Sequence, residues 1–272
     1  MGKIWLVGVL IATFVAFPGV TFAAEGTVAV DGLRLRDDIW GTVAEHLDQD
    51  SNIAIFGRTW DQSGNSWYYV GTPSGNSGWV YGAYVKTRPT TGPVVGLQVG
   101  HWRNEEAGYP LSASPGATGG GMSEAQVNLA IAKATARLLS GDGVWVDIIP
   151  TVIPKGYRAN ALLAIHADGG PADRRGFFVD RPVRSSVEKQ EARLAEILVQ
   201  EYRAQVDIPH VYRGTPNSRY YYGYYQVHPS TPAALIETGF LTNGIDRGII
   251  IGQHERVAEA LTIGLKRFLF GS

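Results

Sequence analysis

The chain has 272 residues, room for one good-sized domain and a small one, and 24 Lys+Arg against 25 Asp+Glu leave a formal net charge of −1. That balance gives no reason to expect nucleic acid or an anionic membrane surface as a partner. Cysteine is absent, which excludes disulfides, thiol nucleophiles and Cys-ligated zinc; stability rests on packed cores and on any metal that other side chains hold.

Lys3 gives a short positive start, Ile4 to Phe17 is apolar, and Val20-Thr21-Phe22-Ala23-Ala24 offers small residues around a cut after Ala23. This pattern predicts a secretory signal peptide over residues 1–23, since the apolar run is too short to span a bilayer comfortably. The expected location is the cell envelope or the medium, as a monomer with no stable membrane insertion after cleavage.

From residue 25 to 88 short alternating runs are broken by turn signals. Val28-Ala29-Val30, Leu33 to Arg36, Asn52 to Phe56, Trp67 to Val70 and Gly78 to Tyr81 read as strands; Asp31-Gly32, Ser63-Gly64-Asn65 and Ser74-Gly75-Asn76 read as turns. A small all-β barrel is expected. Trp67 and Trp79 fit its core, whereas Trp40 and Trp60 are candidates for exposed contacts. With eight acidic and five basic residues, this segment would not hold an anionic polymer by charge. A polar, Pro-bounded connector follows, so residues 89–93 are read as a linker and residues 94–272 as a second domain.

That second part contains three apolar runs stopped by a metal-capable or acidic side chain: Val94 to His101, Ala161 to His166, and Ala233 to Gly239 with Glu237 inside it. Such runs read as buried parallel strands. Between them Ser123 with Gln126 forms a capping box for a helix whose apolar face is Val127, Ile131, Ala134 and Leu138. Further strands are expected at Val144 to Ile148 and Gly176 to Val179, and helices at Val187 to Ala204 and His254 to Phe270. The fold class is therefore α/β: a mostly parallel twisted sheet flanked by helices, preceded by the small barrel.

In open α/β sheets ligands bind beyond the carboxyl ends of the strands. His101 and His166 belong at that edge, and so does Glu124, because a right-handed crossover starts its helix there. Two imidazoles and a carboxylate suit catalytic zinc, and Glu237, among apolar neighbours, is available as the carboxylate that moves a proton. Asn128 is spaced to orient Glu124. Glu105 and Glu106 are the alternative carboxylate ligands. His228 is a candidate for lining the cleft or for packing, and Arg158 for pairing with a substrate carboxylate or tying a loop. Tyr220, Tyr221, Tyr222, Tyr224 and Tyr225 are candidates for stacking on sugar rings or for half-buried strand positions. His46, His210 and His254 fall outside any ligand pattern.

In order along the chain, His101 after a strand, Glu124 with Asn128, Arg158-Ala159-Asn160 before Ala164-Ile165-His166-Ala167-Asp168, and Leu235-Ile236-Glu237-Thr238-Gly239-Phe240-Leu241-Thr242-Asn243 resemble zinc-dependent N-acetylmuramoyl-L-alanine amidases over 94–270. The resemblance implies Zn2+ held by His101, Glu124 and His166, Glu237 as catalytic carboxylate, and peptidoglycan as partner, cut between the muramic lactyl group and the first alanine. Arg158, Asn160 and His228 are the candidate substrate contacts. A zinc peptidase acting within the stem peptide and a non-catalytic wall-binding protein are the alternatives. The family usually has glycines after its first histidine ligand, where this chain has Trp102 and Arg103. Leu33-Arg34-Leu35-Arg36, Ser66 to Val70 and Gly78-Trp79-Val80 resemble bacterial SH3-like domains, which implies binding to wall peptides; Asp37 to Trp40 departs from that pattern.

Overall fold

The computed structural model describes residues 24–87, 91–183, 186–211 and 214–271, so the expected signal segment and part of the connector lie outside the described residues. The chain opens with β1 (Ala24–Val28), β2 (Leu33–Arg36), β3 (Val43–Leu47), β4 (Asn52–Trp60), β5 (Ser66–Gly71), β6 (Ser77–Tyr81) and β7 (Val85–Thr87). Then come β8 (Val94–Val99), the short pair β9 (Thr118–Gly119) and β10 (Met122–Ser123), α1 (Glu124–Gly141), β11 (Trp145–Ile149) and β12 (Ala161–Asp168). Last are β13 (Phe178–Asp180), α2 (Glu188–Gln205), α3 (Pro216–Arg219), β14 (Ala233–Phe240), α4 (Gly244–Gly252) and α5 (His254–Phe270).

The strands β14, β12, β8 and β11 run parallel to one another, and β13 closes one edge antiparallel. At the other edge the sheet continues into the N-terminal strands: β4 pairs parallel with β11, with Asp147 opposite Arg58, and β5, β6, β2 and β3 follow. The sequence leads one to expect a separate barrel on a linker; the structure joins both parts in one hydrogen-bonded sheet. A bulge between Ile55 and Gly57 makes this possible, because a bulge bends its strand. The first half of β4 pairs with β1, and the second half turns its free edge to β11. Gly57 sits at the bend, where a Cβ would lie 3.1 Å from Ile148 Cδ1.

The sheet carries α1, α2 and α5 on one face. Leu163, Ile165, Ala234 and Ile236 point into that layer, and their alternates Leu162, Ala164 and Leu235 point to the other side under Tyr157, Tyr221 and Tyr224. Strand alternation therefore aims His166, two residues beyond Ala164, and its register partner Glu237 toward the tyrosine face. The segment expected as a tyrosine-rich strand is a 3-10 turn at Tyr222–Tyr225. The predicted capping box of α1 is present, and α5 runs over the expected residues. Among the described residues no helix is long and apolar enough to cross a membrane.

Candidate metal centre and active site

Three segments far apart in the chain bring metal-capable side chains to one point. His101 follows β8, Glu124 opens α1 and His166 ends the apolar run of β12; one ligand atom from each lies within 4.8 Å of the others. Glu124 Oε1 is 3.0 Å from His166 Nδ1, and Oε2 is 3.5 Å from His101 Nε2. The other nitrogen of each ring is engaged. His101 Nδ1 donates to the Ser114 carbonyl at 2.8 Å. Tyr221 donates its hydroxyl to Gln98 Oε1 at 2.7 Å and so accepts from His166 Nε2 at 3.2 Å. When neutral, both imidazoles therefore turn a lone pair toward the same carboxylate. Acceptors facing acceptors at this distance need positive charge between them, a ring proton or a metal ion, and a His2Glu set is one that zinc takes in catalytic sites.

Two backbone amides and the Asn128 side chain hold the Glu124 carboxylate in place. Glu124 Oε2 accepts from Ala117 N at 2.8 Å and Oε1 from Ala167 N at 3.1 Å; Asn128 Nδ2 donates to Oε1 at 3.4 Å and to the Gly100 carbonyl at 3.2 Å. Burial works against a charged Glu124, but the hydrogen bond and charge of His166, the charge of His101 and the Ala117 amide outweigh it and hold the carboxyl below its ordinary value. Gly116, with φ +76°, must be glycine: a Cβ there would lie 2.7 Å from Glu124 Oε2 and 2.8 Å from the His101 ring. Ser114, Gly116 and Ala117 are contributors that sequence reasoning missed, and Tyr221, read there as a stacking or half-buried tyrosine, instead partners His166.

A cleft of about 640 Å³ opens over the cluster, lined by His101, Glu124, His166, Asp168, Tyr221 and Glu237 among others. Glu237 Oε2 is buried and has no hydrogen-bond partner among the described residues. Burial, then repulsion from Glu124, Asp168 and Asp180, pushes its carboxyl well above the ordinary value. Of the alternative carboxylates, Glu106 is taken up by Arg103 and Glu105 faces solvent.

The expected substrate contacts Arg158, Asn160 and His228 are elsewhere. They precede β12 and β14, so they lie at the amino edge of the sheet, about 20 Å along the strand from His166. Arg158 Nη2 donates to His228 Nε2 at 2.5 Å, and Asn160 Oδ1 accepts from Val94 N at 2.8 Å, so they brace strand starts. Tyr221, a candidate for sugar stacking, is buried against His166; Tyr220 and Tyr225 are exposed.

The profile of the Amidase_3 family, described as N-acetylmuramoyl-L-alanine amidase, matches residues 95–267. Among solved structures, Ami1 from Mycobacterium smegmatis, an N-acetylmuramyl-L-alanine amidase, superposes with a TM-score of 0.55 at 20% identity over 66% of this chain and 98% of its own. Ami1 from Mycobacterium abscessus gives 0.53 at 21% identity over 65% and 99%. The CwlD amidase of Clostridioides difficile, solved with the GerS lipoprotein, gives 0.50 at 20% identity over 66% and 100%. These likenesses concern the fold. The search of curated proteins finds no match.

Proposed function

The chain belongs to the N-acetylmuramoyl-L-alanine amidase family and is a peptidoglycan amidase, and we propose that it works with zinc held by His101, Glu124 and His166 and with Glu237 as the proton carrier. The observation that carries this reading is the convergence of three metal-capable side chains in one cleft with Glu237, whose buried Oε2 has no hydrogen-bond partner among the described residues. Bound zinc would polarise the amide carbonyl and make water acidic enough to attack near neutral pH. Glu237 then takes the proton that water loses as its oxygen joins the lactyl carbonyl carbon, and returns it to the nitrogen as the C–N bond breaks. The products are a lactyl carboxyl and an alanine amine. His101 and His166 keep their outer N–H bonds to Ser114 and Tyr221, which fix the nitrogens that face the ion.

We read the strands of residues 24–87 as an SH3-like wall-binding module. Short antiparallel strands, β1 bridging β4 and β7, and a single 3-10 turn before β7 support this. Trp40, 65% exposed with its ring edge-on to buried Trp67, is the best placed for contact. Export to the envelope fits a wall substrate, and we keep the signal segment at 1–23 and the sequence boundary at 89–93 as part of the proposal.

The experiment is digestion of purified wall by the wild type and by Glu237→Gln, with metal content measured on both. The wild type should release lactyl carboxyls and alanine amines; the variant should keep one zinc and lose turnover by at least a hundredfold, in line with loss of general acid–base catalysis. Undiminished turnover in the variant removes Glu237 from the mechanism, and new termini within the stem peptide would instead make the enzyme a peptidase.

A further inference from the structure

The two residues after His101 are unusual, and the structure gives them a job. His101 and Arg103 both hold the left-handed backbone conformation, with φ of 61° and 55°. Non-glycine residues keep it only where their surroundings over-determine it. Those surroundings are the N-terminal strands. Trp102, 5% exposed, stacks on Trp79 of β6 with ring centroids 5.9 Å apart and planes 24° apart. Arg103 Nη1 donates to the Trp60 carbonyl at the end of β4 at 2.6 Å. Its Nε and Nη2 grip both oxygens of Glu106 at 2.6 and 2.7 Å, so the Arg103 guanidinium is itself paired beside His101.

The second ligand segment is tied to the same strands. Lys133, on the helix that Glu124 opens, reaches the Asp37 carbonyl at 3.3 Å and lies over the rings of Tyr69 and Trp79. Trp79 thus touches both the residue after His101 and the helix of Glu124.

We infer that the N-terminal strands position the metal ligands, with Trp102 and Arg103 as positioning residues that hold His101 by docking on Trp79 and on the end of β4. This rests on the zinc reading above and deepens it: the module does more than recruit the wall. A glycine at 103 would adopt left-handed backbone freely. Here bulky side chains stand at 102 and 103 and the loop's shape is set from outside, so the centre depends on residues 24–87.

The test uses the whole chain. Zinc affinity is measured by chelator competition and stability by thermal melting for Trp79→Ala, Arg103→Ala, Trp79→Phe and Leu35→Ala. Leu35 is fully buried in the module's other core, away from the seam, and serves as the control for mere destabilisation. Trp79→Ala and Arg103→Ala should weaken zinc binding about tenfold or more while still melting cooperatively, the size expected for groups that support a ligand. Trp79→Phe should restore affinity, and Leu35→Ala should melt earlier at unchanged affinity. Wild-type affinity in both seam variants, or an equal loss in Leu35→Ala, overturns the inference. Should Trp79→Ala not fold, Arg103→Ala against Leu35→Ala decides. A wild type that takes up no zinc fails at the earlier step and overturns both readings.

Discussion

His166 has two ring nitrogens, and a neighbour decides which one faces the ligand cluster. Tyr221 does this by donating to Gln98 and accepting from Nε2. Tyr221→Phe removes one oxygen, leaves the shape of the ring and frees the imidazole to turn its other tautomer toward Glu124. Zinc affinity should fall 10–100-fold. Buried Gln98 Oε1 also loses this donor, costing about 1–3 kcal/mol. Chelator competition and urea unfolding of the same preparation check both, and an unchanged zinc constant would count against the relay. The clustering of His101, Glu124 and His166 was legible in the sequence, because an apolar run that stops on His puts that side chain at a sheet edge and a crossover helix starts at the same edge. The parts played by Tyr221, Ser114 and Ala117 were not: what they contribute is a hydroxyl, a carbonyl and an amide whose partners exist only after folding. Arg158, Asn160 and His228 were misplaced for a related reason, since nearness to a motif in sequence says little about which end of a strand a residue occupies.

At the scale of elements, periodicity read the three long helices well. α1 and α5 follow the expected residues, and α2 begins one residue late. Other elements were missed for other reasons. β3 has mostly half-exposed residues, and α4 is a nine-residue helix capped by Asn243 whose start looks like a turn. The seam between β4 and β11 was invisible because pairing of distant edges leaves no local pattern. Its centre is Asp147, 2% exposed, which accepts from Arg58 Nε at 3.1 Å, Trp145 Nε1 at 3.1 Å and Tyr157 Oη at 2.9 Å. Asp147→Ala would strand these donors in the joint between the two halves. We expect a loss of about 3 kcal/mol, the low end for breaking a buried pair, because the Arg58 side chain remains 31% exposed. Urea unfolding measures it; a change below the scatter of the method would mean that the seam is held by packing alone.

For the whole molecule, folding brings Glu124 and Glu237 into one cleft and removes them from water, and this leaves a mark on stability against pH. In the metal-free protein the Glu237 carboxyl is raised well above its ordinary 4.5 by burial and by the charges of Glu124, Asp168 and Asp180. The native state therefore binds that proton more tightly than the unfolded chain does. Stability from this group is complete below pH 4.5 and is lost as pH rises toward the folded value, at about 1.4 kcal/mol per pH unit. Glu237→Gln cannot lose the proton. Metal-free wild type and variant should thus melt alike near pH 4.5 and diverge above it, with the variant the more stable at neutral pH. Zinc should close the gap at neutral pH, because a dication beside the carboxylate favours its charged form and because binding to the native state alone stabilises it. Parallel melting curves for the two metal-free proteins across that range would show that Glu237 titrates in the fold as it does in water. The cleft would then be too open to tune a catalytic carboxylate, and the burial that singles out Glu237 would have to be given up.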